Sequence, residues 1–196
     1  MLNFLLLTLG IWLIIQLIVG GRQIKKQQAE IMQQMLDKQE RYKHLDESIF
    51  NELLDDELKE AVIMHIFSKE DEDYEHLLEH LAAGERTVYS IYQMEINVDS
   101  GRGNVYQFYT SSSKAYLPYL EESFRNVGCE KLAMLMNRVT NLVIAEQNGT
   151  LDIDTEDEDA PTFQSYTFDF LDLVEEEQLN DKIAKYIRSH QEEFIN

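Results

Sequence analysis

Residues 49–66 read IFNELLDDELKEAVIMHI. Phe50, Leu54, Leu58, Val62 and Ile66 step by four, with Ile49 and Leu53 alongside, so the stretch predicts a helix with one apolar face. Asp55, Asp56, Glu57 and Glu60 fall on its other faces. The same spacing continues outward. Ser68–Asp71 offers a cap-like restart, and Tyr74, Leu77, Leu78 and Leu81 form a short stripe that Gly84 is expected to stop. Val88, Ile91, Tyr92 and Glu95 keep helical spacing as far as Gly101. Pro118 suits the first turn of another helix, carried by Leu120, Phe124 and Val127 and ended by Gly128. Leu132, Leu135, Met136, Val139, Leu142 and Val143 predict a strong helix, which the turn signal Asn148-Gly149 closes. Leu151–Ser165 reads as an acidic loop, and the last helix carries Leu179, Ile183, Tyr186 and Ile187 and ends near Phe194. No run alternates convincingly with period two, so the predicted class is all-α, a multi-helix domain.

Composition narrows the function. The 196 residues hold 17 Lys+Arg against 37 Asp+Glu, a formal net charge of -20. Direct nucleic-acid binding needs clustered cations to meet phosphate, and this balance argues against it. A 44% hydrophobic fraction is enough for a core. The single cysteine, Cys129, excludes an intramolecular disulfide and a cysteine-based zinc site.

The charges divide the chain into three parts. Residues 1–21 carry no charged side chain, and Leu2–Val19 is interrupted only by Asn3, Thr8 and Gln16. About 20 helical residues span a hydrocarbon core of roughly 30 Å, so a transmembrane anchor is expected at 1–21, in contact with the lipid bilayer. Arg22, Lys25 and Lys26 follow it and no cation precedes it, which places the C-terminal body in the cytoplasm as a single-pass membrane protein. The alternative is export after signal cleavage, but a basic start and an A-x-A site are both absent. Residues 22–45 form a helical connector in which Ile24, Ile31, Met35 and Tyr42 recur at near-heptad spacing. From Glu47 onward 11 basic residues face 33 acidic ones, a balance of -22, and this acidic all-α domain is drawn as 46–196.

One stretch carries a likeness. Residues 101–131 read GRGNVYQFYTSSSKAYLPYLEESFRNVGCEK. The glycine/asparagine turn of Gly101, Gly103 and Asn104, the trio Gln107, Phe108 and Tyr109, the serine turn, Tyr116, Pro118 and the helix end Gly128 resemble the signature of the bacterial DNA mimic protein 19 family. The tail, with Tyr186-Ile187 and Glu192-Glu193-Phe194, is similar as well. The chain departs from the family in the turn, Gly101–Val105, at Thr110, and in having the N-terminal span. The resemblance implies a helical fold; in the DNA-mimic version of the function, the carboxylates of the body, which are not part of the signature, occupy the nucleic-acid site of a basic protein.

Candidate chemistry weighs lightly beside this. His76, Glu79 and His80 form an H-x-x-E-H pattern, which on a helix can share a metal between histidines. The plainer reading puts Leu77, Leu78 and Leu81 on the core and the histidines at solvent. Asp152, Asp154, Glu156, Asp157, Glu158 and Asp159 suggest a calcium loop. Its sixth and twelfth positions are Asp157 and Phe163, where glycine and glutamate are required, so no metal or cofactor is expected. The family-motif residues read as structural, with Gln107 expected to bond buried backbone at the turn. The acidic residues 152–159 are the expected contact for a basic protein partner. Two copies would extend the charge array, which makes a homodimer compatible. The function expected is therefore binding rather than catalysis: a membrane-anchored acidic domain that contacts a basic protein by nucleic-acid mimicry. The alternatives are an immunity-type inhibitor of a basic toxin and a tethered scaffold.

Overall fold

A computed structural model describes residues 26, 28–72, 77–99, 104–150 and 163–195. The chain divides into two compact units, Met1–Arg41 and Tyr42–Asn196. Every regular element among the described residues is helical, so the all-α expectation holds. No helix among them is long and apolar enough to cross a membrane, and the span expected at 1–21 lies outside them.

In the first unit residues 28–41 are helical (α1), as a stretch without glycine or proline favours. Lys26 lies 3.7 Å from Glu30 and Gln33 donates to Asp37 at 2.8 Å, both four residues apart on one face. Ile31 and Met35 are half exposed there, whereas Tyr42 belongs to the core of the second unit. Tyr42 and Leu45 are both buried, so that unit starts a few residues before the expected boundary at 46.

The row Phe50–Ile66 is two helices rather than one. α2 (Glu47–Glu52) starts at Asp46, whose carboxylate accepts the Ile49 N–H at 2.9 Å. α3 (Asp55–Glu72) begins with Asp55, Asp56 and Glu57, three acids where a helix N-terminus favours them. Glu57 reaches back to accept the Leu54 N–H at 3.0 Å. Arg188 holds the break from outside. Its guanidinium donates to the Phe50 and Leu53 carbonyls at 2.5 Å each, and to Asp55 at 3.0 Å. Leu54 is thereby turned outward at 66% exposure, against the expectation of an apolar-face residue, while Leu53 is buried in its place. Here end-capping outweighs the apolar repeat.

α4 (Leu77–His80) is a single turn, and α5 (Ala83–Asp99) follows almost at once. Gly84 does not stop a helix. It sits in the first turn of α5, where a Cβ would lie 2.8 Å from the Phe194 ring, so close approach of the C-terminal segment requires glycine. α6 (Val105–Thr110), a 3₁₀ turn (Ser112–Tyr116) and α7 (Leu117–Asn126) come next, with Pro118 in the first turn of α7. Gly128, at φ +82°, closes α7, and α8 (Glu130–Gln147) buries Leu132, Leu135, Met136, Val139 and Val143 as expected. α9 (Phe163–Glu176) replaces the end of the expected loop, which was drawn to Ser165. It is pinned by Phe163 against Tyr106 (ring centroids 4.5 Å apart), by Thr167 accepting the Val105 N–H at 3.1 Å, and by Phe170 against Phe124. α10 (Leu179–Ser189) buries Leu179, Ile183, Tyr186 and Ile187. α5 packs against α3, α6 and α7, α8 against α7 and α9, and α10 against α3.

Candidate functional site

The acidic residues Asp152, Asp154, Glu156, Asp157, Glu158 and Asp159 lie outside the described residues, as do Gly101, Gly103 and His76. The rest of the motif from Asn104 to Gly128 is placed, and it forms the corner between α5 and α7. Asn104 caps α6, its side-chain oxygen accepting the Gln107 N–H at 3.1 Å. Val105, Phe108 and Tyr109 point into the core. The Tyr109 hydroxyl lies 3.0 Å from Thr140 Oγ1, and burial pushes its pKa up to about 12. For Gln107, no backbone bond from its side chain is seen among the described residues. It is exposed, and its N–H and C=O serve the helix ends instead, the carbonyl accepting the Ser111 N–H at 2.9 Å.

The serine turn is wired to α5. Ser111 donates to Asn97 at 3.3 Å and accepts the Ser113 N–H at 3.2 Å. Buried Ser113 donates to Gln93 at 2.8 Å and accepts from the Asn97 amide at 2.9 Å. Tyr116 meets Tyr89 edge to face at 5.3 Å. These bonds let the polar groups of the corner satisfy one another. Cys129 is buried at the start of α8, and burial raises its thiol to about 11, far from a nucleophile's range. Glu79 and His80 are exposed on α4, and no metal-holding cluster occurs among the described residues.

A charged cluster escaped the sequence reading. Glu85, 1% exposed in the first turn of α5, takes Lys69 Nζ at 2.7 Å, the Ala82 N–H at 3.0 Å, and stands 3.3 Å from His65 Nε2. His65 is buried too, and its Nδ1 donates to the Lys43 carbonyl at 2.8 Å. Burial pushes the Glu85 carboxyl up. The hydrogen bonds from His65, Lys69 and the Ala82 N–H, together with the Lys69 charge, more than offset this, and its pKa lies below the ordinary 4.5. The available signal was spacing. His65 sits in the apolar run of α3 with Lys69 four residues on, and Glu85 stands at the third position of a helix start.

Other carboxylates face solvent. Asp169, Asp172, Glu175 and Glu176 are exposed along α9, with Glu176 paired to Lys131, and Asp55, Asp56 and Asp181 are exposed elsewhere. Fold and surface together define an all-helical acidic domain. The chain belongs to the DMP19-like protein family, whose family model matches residues 79–190, more than half of the chain. No curated protein and no solved structure matches it.

Proposed function

We propose that this chain is a membrane-anchored binding domain whose acidic surface engages a basic protein. The observation that carries the reading is the balance of 33 acidic to 11 basic residues from Glu47 onward, in a member of the DMP19-like family. A helical body with so many carboxylates presents a negative field, and such a field steers cationic surfaces into encounter. Where the partner's cationic surface is a nucleic-acid site, the domain competes with nucleic acid for it. The apolar segment 1–21, followed by Arg22, Lys25 and Lys26, supports an anchor with the acidic body on the cytoplasmic side. The carboxylates 152–159 extend the field and are the first candidates for contact.

The test is a crosslinked pull-down of the full-length chain from its native membrane. The reading expects basic partners whose capture weakens with salt and is competed by duplex DNA or RNA. Capture that is insensitive to both removes it. Resistance to carbonate extraction checks the anchor separately, and recovery of a soluble chain starting near Gly21 overturns it.

A further inference from the structure

α8 and α9 enclose an open groove of about 350 Å³. Its lining is mixed. Met134 and Leu173 supply apolar surface, Lys131 and Arg138 line the α8 edge, and Asp169 and Asp172 line the α9 edge. Met134 is 51% exposed, and Leu173, which lines the groove from α9, is half-buried. Apolar side chains on the floor of a groove that charged residues rim on both edges mark an interaction surface. A surface that acted by charge alone would have no use for an apolar floor.

The charges say what covers it. α9 holds four acidic residues and no basic one, so its edge is uniformly negative. On the opposite edge Lys131 is already paired with Glu176. We propose that the groove receives an amphipathic helix of the basic partner. The apolar side of that helix lies on Met134 and Leu173, and its lysine or arginine flank runs along Asp169 and Asp172. Arg138 repels cations from the other edge and so orients the helix. An occupant of this kind carries its anchors at i, i+3, i+4 and i+7. The proposal rests on the basic-partner reading and adds to it a contact that salt does not screen, because apolar burial is insensitive to the Debye length.

The test uses the full-length chain and two synthetic peptides of the same leucine and lysine composition. One has leucines at i, i+3, i+4 and i+7, and the other is scrambled. The proposal expects the amphipathic peptide to bind about tenfold tighter, a gap of roughly 1.4 kcal/mol. Met134→Ser should close most of that gap, and Asp169→Asn with Asp172→Asn should do the same. Ile96→Ser, at an exposed apolar position on α5, should leave it open. Met134 is exposed, so its variant should stay folded, which circular dichroism checks. Equal affinity of the two peptides, or a gap that survives Met134→Ser, overturns the groove and leaves the acidic-surface reading standing. Failure of even the scrambled peptide to bind at low salt removes the basic-partner reading itself. Self-association of the chain that Met134→Ser abolishes assigns the groove to a second copy and overturns the proposal.

Discussion

Glu85 and the carboxylates of α9 are chemically alike and do opposite things. Glu85 is out of water, held by Lys69, the Ala82 N–H and His65, and joins α3 to the start of α5. Asp169, Asp172 and Glu175 stand in solvent on α9, and Asp169 and Asp172 edge a groove. A buried charge has to be matched by partners, and losing one partner strands the others. An exposed charge has water as its partner and can be removed at little cost. The net charge of the chain therefore says little about which of its 37 acidic residues hold the fold and which are free to act on a partner.

The largest expected effect comes from breaking the buried side of this comparison. Glu85→Ala should cost about 3 kcal/mol, because Lys69, His65 and the Ala82 N–H lose their acceptor. Denaturant unfolding measures it. Asp172→Asn on α9 should change stability by less than about 0.5 kcal/mol in the same assay. Equal losses at the two positions would erase the distinction.

Next is the close approach beside Glu85, in the same first turn of α5. Gly84→Ala should cost about 1–3 kcal/mol, since the added methyl meets a Phe194 ring that is itself buried. A smaller effect is expected with pH. The folded Glu85 carboxyl lies below its ordinary 4.5, so its contribution to stability is present above that value and is lost as pH falls through the folded value. The stability gap between wild type and Glu85→Gln should narrow as pH drops below about 4.5. A gap that widens there reverses the assigned sign. Smallest is Gln178, a left-handed residue at φ 54° between α9 and α10. Gln178→Gly should stabilise by about 0.5 kcal/mol, the relief of left-handed strain less the entropy that glycine adds to the unfolded chain. Thermal melting reads the shift.

How much of this was legible follows the same physics. Apolar periodicity located α5, α7, α8 and α10, because a helix facing a core must repeat near 3.6 residues. It ran α2 and α3 together, because the break at Leu53–Leu54 is made by Arg188 from a helix more than a hundred residues away. It missed α9, whose Phe163, Tyr166, Phe170 and Leu173 have helical spacing but follow directly on an acidic run that reads as loop. Gly84 looked like a stop because a glycine's reason can be a ring that packs against it from far along the chain. The corner motif was visible as residues, but not the wiring of Ser111 and Ser113 to Asn97 and Gln93, which only the fold brings together. The Glu85 cluster was hidden for the same reason.

The measurement that bears most directly on the acidic surface as a recognition element is the association rate of the full-length chain with its crosslinked partner across a salt series. It should be run for the wild type and for a variant with Asp152, Asp154, Glu156, Asp157, Glu158 and Asp159 changed to Asn or Gln. Screening shortens from about 10 Å at 0.1 M salt to about 3 Å at 1 M. The account predicts that wild-type association slows steeply over that range while dissociation changes less, and that the neutral variant starts slower and depends less on salt. Identical rates for the two proteins at every salt concentration would contradict it.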